Sequence, residues 1–522
     1  MKQVQLYDTT LRDGMQGQGM SLSVEEKIRV VHALDDLGVA FVEAGFPGSN
    51  PKEVELFTRL EQEKLKNAVI TSFGMTRRRG VSASEDETLQ LLAETFAPAT
   101  TLVGKTWDLH LEKVTKVSRE ENLEMIAESV AFLDEAGKRV IYDAEHFFDG
   151  FASDRDYALE CVRTAVEAGA ECVTLCDTNG ASLPSSVAEA TAAVVGAVDG
   201  KVTVGIHTHN DAECAVADSL AAVDAGARLV QGTINGIGER TGNANLTSIL
   251  PALQLKMGYE VVSPEQLENL TPTAHFIDEL LNRSPDPDQP YVGKNAFAHK
   301  GGMHVAGVRA DARTFEHVEP TSVGNRREAL VSELSGKGTV LEAAEEASIA
   351  MSEDQASHAL RSLKEKEHRG YQYEAADGSF ELLLRRETDR YESLFKVESF
   401  RVLVESREGG GVTTEATIKL SVDGESSLMT AEGNGPVNAL DNALRAALVD
   451  KYPELASVEL TNYKVRILDE HQGTGAVTRV LLDSTDGTSE WGSIGVSENI
   501  IEASWEALLE SLDYALQKRR DG

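Results

Sequence analysis

The feature that most constrains this chain is an alternation. From residue 1 to about 255, short β-branched runs alternate with amphipathic stretches of helical period, the pattern of βα units. Eight runs can be read: VQLYD, VAFVEAG, AVITSFG, TTLVG, RVIYD, CVTLC, VTVGIH and RLVQGTI. Helical candidates such as SVEEKIRVVHALDDLG and DRDYALECVRTAVEAG lie between them, and a recurring glycine in LGV, AGK, AGA and AGA stops four of the helices before the next strand. Eight strand-and-helix units in about 250 residues match the usual size of a (β/α)8 barrel. An open doubly wound sheet needs no eighth strand and usually carries a glycine-rich phosphate loop after its first, where this chain has DTTLRDG.

The pattern changes after the barrel. SPEQLENLTPTAHFIDELLNRSPDPDQP reads as a helix and a Pro/Asp-rich turn, YVGKNAFAHKGGMHVAGV is glycine-rich with two histidines, and EDQASHALRSLKEKEHRG is strongly charged helix. Beyond about 396 a weak internal repeat appears, TEATIKLSVDGESSLMTAEGNGPVNALDNALRAALV and GAVTRVLLDSTDGTSEWGSIGVSENIIEASWEALLESL. Each copy predicts two strands joined at an Asp-Gly turn, a glycine-containing loop and an amphipathic helix. Such a duplicated ββα unit suits a ligand-binding or dimerising domain, and equally a packing appendage. The predicted architecture is α/β: a TIM barrel over 1–260, helical linker subdomains over 261–395 and an α+β regulatory domain over 396–522.

Charge excludes some partners. With 86 acidic and 50 basic residues the formal net charge is −36, a field that repels nucleic-acid backbones and anionic lipid surfaces. The N-terminus has no apolar signal region and nowhere do about 18 apolar residues run uninterrupted, so the chain is expected to be soluble and cytoplasmic. Cys161, Cys172, Cys176 and Cys214 lie in apolar contexts and read as reduced, buried thiols.

In a parallel barrel, functional side chains gather where strands end. The first strand delivers Arg12 and Asp13, the fifth Glu145, the sixth Asp177 and Thr178, the seventh His207 and His209, and the eighth leads into NGIGERTGNANL with Asn243. His207 and His209 are two apart in an extended segment, so both rings reach one face. With Asp13 from the neighbouring strand they form a two-imidazole, one-carboxylate set suited to a divalent ion acting as Lewis acid. Asn243 completes that shell or caps the next helix. Arg12 is placed to stabilise an enolate or alkoxide, or to pair with a nearby carboxylate. Thr178 offers a hydroxyl to a substrate carboxylate or serves its turn, and Glu145 is a general acid/base or an ion-pair partner.

DTTLRDGMQ, HTHND and GIGERTGNANL together resemble the DRE-TIM metallolyases, and more narrowly their Claisen-condensing branch, the isopropylmalate, homocitrate and citramalate synthases. FAHKGGMH and VGNRREALVSELSGKG resemble that branch's linker, and the repeat resembles its C-terminal allosteric domain, so the likeness spans essentially the whole chain. TSFGMTRRRG and VGKTWDLHLEKV are similar to the citramalate-forming type. The resemblance implies condensation of acetyl-CoA with pyruvate and water, a divalent ion (Zn, Mn, Mg or Co), a homodimer and isoleucine as effector. It implies Asp13, His207 and His209 as ligands with Asn243 in or near the shell. Arg12 would stabilise the substrate oxygen, Thr178 bind the oxo-acid carboxylate, and Glu145 with His304 handle protons. His299 competes for the role of His304, and the branch's usual Glu-Asp pair is Glu145-His146 here. A lyase of the same superfamily would carry a cysteine in the loop after the last strand, and GERTGNANL has none. Isopropylmalate and homocitrate synthases differ in oxo acid, and a non-catalytic amino-acid sensor would not need all four of Arg12, Asp13, His207 and His209. TRRRG and GNRREAL are candidate contacts for the coenzyme's phosphates.

Overall fold

The computed structural model describes residues 3–300, 302–329, 336–388, 391–406, 411–468 and 475–521. Eight parallel strands close into a barrel: β1 (Gln5–Asp8), β2 (Phe41–Gly45), β3 (Val69–Met75), β4 (Ala99–Lys105), β5 (Arg139–Glu145), β6 (Cys172–Asp177), β7 (Thr203–Thr208) and β8 (Leu229–Gly232). The closing seam pairs β1 with β8, Tyr7 opposite Gln231 and Asp8 opposite Gly232. Helices cover the outside and side chains fill the inside, so strands such as Phe41–Gly45 are buried along their whole length. Successive residues serve opposite faces. Leu6 and Val42 join the large core shared with the helices, while Tyr7 and Phe41 join Ala99, Ile141, Cys172 and Leu229 in a small cluster inside the barrel.

Two compact units divide the chain, one formed by Met1–Phe297 with His317–Arg327, the other by Ala298–Glu316 with Glu328–Gly522. Residues past 260 join the barrel unit because the helix Leu270–Leu280 sets Leu270, Ala274 and Ile277 into its core. The second unit opens with a short parallel pair, β9 (Ala298–His299) and β10 (Glu328–Ala329). The LVSELS part of VGNRREALVSELSGKG, residues 330–335, lies outside the described residues.

Each copy of the C-terminal repeat has three antiparallel strands, one more than its sequence predicts. β11 (Lys396–Ser406), β12 (Val412–Val422) and β13 (Glu425–Gly433) precede the helix Pro436–Leu448. β14 (Glu459–Ile467), β15 (Thr478–Thr485) and β16 (Glu490–Ser497) precede the helix Ile500–Asp521. The additional strands, β11 and β14, are sheet edges without a fully buried residue, so burial imposes no strict alternation on their sequence. Among the described residues no helix is long and apolar enough to cross a membrane, and all four cysteines are unpaired.

One buried carboxylate fixes an early crossover. The helix Val24–Leu37 starts at a Ser23–Glu26 capping box and ends at Gly38, where φ is 86°. From its last turn Asp35 accepts the backbone N–H groups of Lys66, Asn67 and Ala68, at 2.9, 2.7 and 2.7 Å. Burial raises its pKa, but these N–H donors and Lys66 outweigh burial and hold the carboxyl below its usual range. Asp35→Ala leaves three donors without this acceptor and is expected to destabilise the barrel unit by about 2–4 kcal/mol, read as a lower urea midpoint. Folding lowers the Asp35 pKa, so its contribution is complete above the unfolded value of about 4 and is lost as pH falls through the folded one.

Candidate metal and substrate site

β1 and β7 flank β8 at the seam, and their C-terminal ends bring three ligating groups together. His207 Nε2 lies 3.5 Å and His209 Nε2 3.9 Å from Asp13 Oδ2, and the two imidazole nitrogens are 3.4 Å apart. All three side chains are at least nine-tenths buried. Burial pushes His207 down to about 3 and lowers His209 as well, so both rings are neutral and available as ligands. Burial alone would raise Asp13; Arg12, the two histidines and the Asn243 amide overcome it and hold this carboxylate far below its ordinary range.

Asn243 sits in the loop after β8, bridged antiparallel to His209. Its Nδ2 donates to Asp13 Oδ1 at 3.0 Å, while its Oδ1 is buried with no hydrogen-bond partner among the described residues. A buried orphan oxygen next to a carboxylate and two neutral imidazoles is a donor set that fits a divalent cation. Gly238 is needed here, because a Cβ on it would come within 2.1 Å of Asn243 Nδ2.

Behind the ligands stand groups that the motifs did not single out. Gln231 on β8 accepts from His207 Nδ1 at 3.0 Å and donates to Asp143 Oδ1 at 2.8 Å, which turns the Nε2 lone pair of His207 toward Asp13. Arg12 donates to Glu43 Oε2 at 2.5 Å and to Asp13 Oδ2 at 3.1 Å, with its guanidinium 4.0 Å over the Phe73 ring. Glu43 also accepts from the Tyr7 hydroxyl at 2.8 Å. Burial, reinforced by Glu43, pushes Asp143 up to about 8, so it holds most of its proton at neutral pH. The available signal was acidity inside strand runs, Glu43 in VAFVEAG and Asp143 in RVIYD, where an unpaired charge is not tolerated.

Arg12, Asp13, Glu145, Thr178, His207 and His209 line one cavity of about 270 Å³. Glu145, at the end of β5, is ion-paired with Lys105 from the end of β4. The Thr178 hydroxyl accepts the backbone N–H of His146 at 2.9 Å, and Asp177 braces its own loop by accepting from Ser182 N at 3.1 Å. A neighbouring cavity of about 670 Å³ shares Arg12, Gln16, Phe73, Met75 and Val103 and is bordered by Arg77, Arg78 and Arg79. Of these arginines, Arg77 is buried and committed to Glu121 and Glu128, at 3.0 and 2.6 Å, while Arg78 is largely exposed. His304 belongs to the second unit, on the helix Gly302–Ala310, stacked on Phe315 at 4.1 Å. His299, in the same unit, pairs with Glu316 at 3.1 Å.

Gln231→Leu preserves volume but frees the His207 ring, and is expected to weaken divalent-ion affinity 10- to 100-fold without unfolding the barrel. Metal titration by calorimetry checks it, and unchanged affinity would refute the orienting role.

The HMGL-like family model matches residues 3–277, a homocitrate synthase post-HMGL domain model residues 291–370, and the LeuA allosteric (dimerisation) domain model residues 374–516. The (R)-citramalate synthase of Geobacter sulfurreducens is 49% identical, covering 100% of this chain and 99% of that protein. That of Aquifex aeolicus is 48% identical over 99% of this chain and 98% of its own, and that of Sulfolobus acidocaldarius 42% over 99% and 98%. Likeness of this extent, on a barrel whose mouth gathers Asp13, His207 and His209, means that the chain belongs to the HMGL-like family and, within it, to the (R)-citramalate synthases.

Proposed function

We propose that this protein condenses acetyl-CoA with pyruvate and water to give citramalate and coenzyme A. The observation that carries the reading is the buried Asp13, His207 and His209 triad with the Arg12 guanidinium on Asp13; the full-length similarity to (R)-citramalate synthases supports it. Asp13, His207 and His209, with Asn243 beside them, are the residues that would hold a divalent ion, Zn, Mn, Mg or Co. Such an ion, when bound, supplies a Lewis acid for the carbonyl of a 2-oxo acid.

The chain's own residues do the rest. Arg12, held by Glu43 and Phe73, presents a permanent positive charge to the oxygen that becomes negative as the new bond forms. Thr178 receives the oxo-acid carboxylate. Glu145 takes a proton from the thioester methyl group, with Lys105 beside it to steady the carboxylate, and His304 is assigned a proton-handling role of its own. The methyl carbon then bonds to the carbonyl carbon, whose oxygen collects a proton. Water cleaves the thioester to a carboxylate, and the thiol of coenzyme A leaves. A pocket of about 270 Å³ walled by Phe73, Met75 and Val103 favours a small oxo acid. The adjoining cavity suits the coenzyme's arm, with Arg78 and Arg79 at its border for phosphates.

The parts assigned are a catalytic barrel over 1–260, a linker over 261–395 and an allosteric, dimerising region over 396–522. Isoleucine is the assigned effector, because citramalate can feed its synthesis, and the working form is a homodimer.

With a divalent ion present, pyruvate should drive thiol release from acetyl-CoA far faster than 2-oxoisovalerate does; equal or faster turnover with 2-oxoisovalerate would point to a 2-isopropylmalate synthase. Glu145→Gln is expected to lower kcat about 10²- to 10⁴-fold with little change in the KM for pyruvate. A variant with kcat near wild type would remove Glu145 from the proton step.

A further inference from the structure

A second group of ligating atoms lies at the same end of the barrel; it shares Glu145 with the chemistry above and adds His110 and His146, which that chemistry does not use. His110, in the segment after β4, and Glu145 and His146, at the end of β5, each offer one atom, all within 4.8 Å of one another. Three features set this group apart from a casual aromatic stack. His110 Nδ1 is buried and has no hydrogen-bond partner among the described residues. His146 Nδ1 lies 3.0 Å from Asp149 Oδ2, and Asp149 is itself held by Asn179 Nδ2 at 3.0 Å. That is the carboxylate–imidazole arrangement which leaves the far nitrogen of a histidine free to ligate. His146 also sits at φ 54° and ψ 34°, a left-handed conformation uncommon for a non-glycine residue. The Thr178 hydroxyl holds it there by accepting its N–H. The two imidazole rings are 4.1 Å apart at 53°, with Trp107 packed against both.

We propose that His110, Glu145 and His146 form a second divalent-cation site, separate from Asp13, His207 and His209, that takes a borderline-soft ion such as Zn²⁺ or Co²⁺. Two imidazoles and one carboxylate select that class over Mg²⁺ or Ca²⁺, which prefer all-oxygen shells. Lys105 now neutralises Glu145, so an entering ion must displace its ammonium, which makes this the weaker of the two sites. Filling it ties down the Glu145 carboxylate and slows turnover, a consequence that rests on the role given to Glu145 above; binding itself does not.

The test is Zn²⁺ stoichiometry by equilibrium dialysis on the full chain, with Co²⁺ absorption as a second readout. Wild type should bind two ions per chain, His110→Gln one, His207→Ala/His209→Ala one, and the triple variant none. His146→Asn, whose side chain tolerates the left-handed backbone, should also remove one ion. A single ion in wild type that is lost with His207 and His209 overturns the second site and leaves the first intact. A second ion retained in both His110→Gln and His146→Asn overturns it too. With the first site saturated by Mn²⁺, added Zn²⁺ should lower thiol release in wild type and not in His110→Gln; undiminished turnover with two ions bound would overturn the regulatory consequence alone.

Discussion

A carboxylate that is buried and still charged must be answered by its surroundings, and at the mouth of this barrel that carboxylate is Asp13. Arg12, His207, His209 and the Asn243 amide all converge on it. Each helper is then constrained in turn. Arg12 is gripped by Glu43 and Phe73, His207 is oriented by Gln231, and Asn243 depends on the absence of a side chain at Gly238. A dense set of polar groups inside an apolar barrel is stable only while every member has its partner, which gives such networks their geometric definition.

The barrel makes this convergence possible by closing. β1 and β7 stand more than 190 residues apart in sequence and become near neighbours only because β8 pairs with both. The direct pairing of the consecutive strands β4 and β5 sets Lys105 opposite Glu145, so that the proposed base arrives with its counter-charge. Parallel strands all end on one side, and polar groups gather there because each strand's last residue passes out of the packed interior. The acidic surface, −36 in formal charge, does not conflict with an anionic substrate. The local charge is decided by Arg12 and the ligands for a cation, not by the total.

The barrel's strands were legible because each is a short apolar run set between amphipathic helical stretches, and two-sided burial leaves little freedom in such a run. The members of the triad were legible because Asp13 lies in the loop that follows strand one, and His207 and His209, spaced by two, share one strand face. β11 and β14 were not legible: each is an edge with no fully buried residue, and neither follows an Asp-Gly turn of the kind that marks the equally exposed β13. Gln231 and Asp143 were missed for a related reason. Inside RLVQGTI and RVIYD they sit among core residues, and only their partners across the barrel, His207 for Gln231 and Gln231 for Asp143, show what they do.

The sequence by itself determined that the chain makes eight βα units and which polar residues stand at their ends, since hydrophobic periodicity and strand-end position are local properties. Only the tertiary structure decided how those residues pair: that Arg12 divides its guanidinium between Glu43 and Asp13, that Glu145 meets Lys105, and that the His110 ring packs at a tilt against His146. Those pairings follow from the register between adjacent strands, β1 with β2 and β4 with β5, which the strand sequences by themselves do not state.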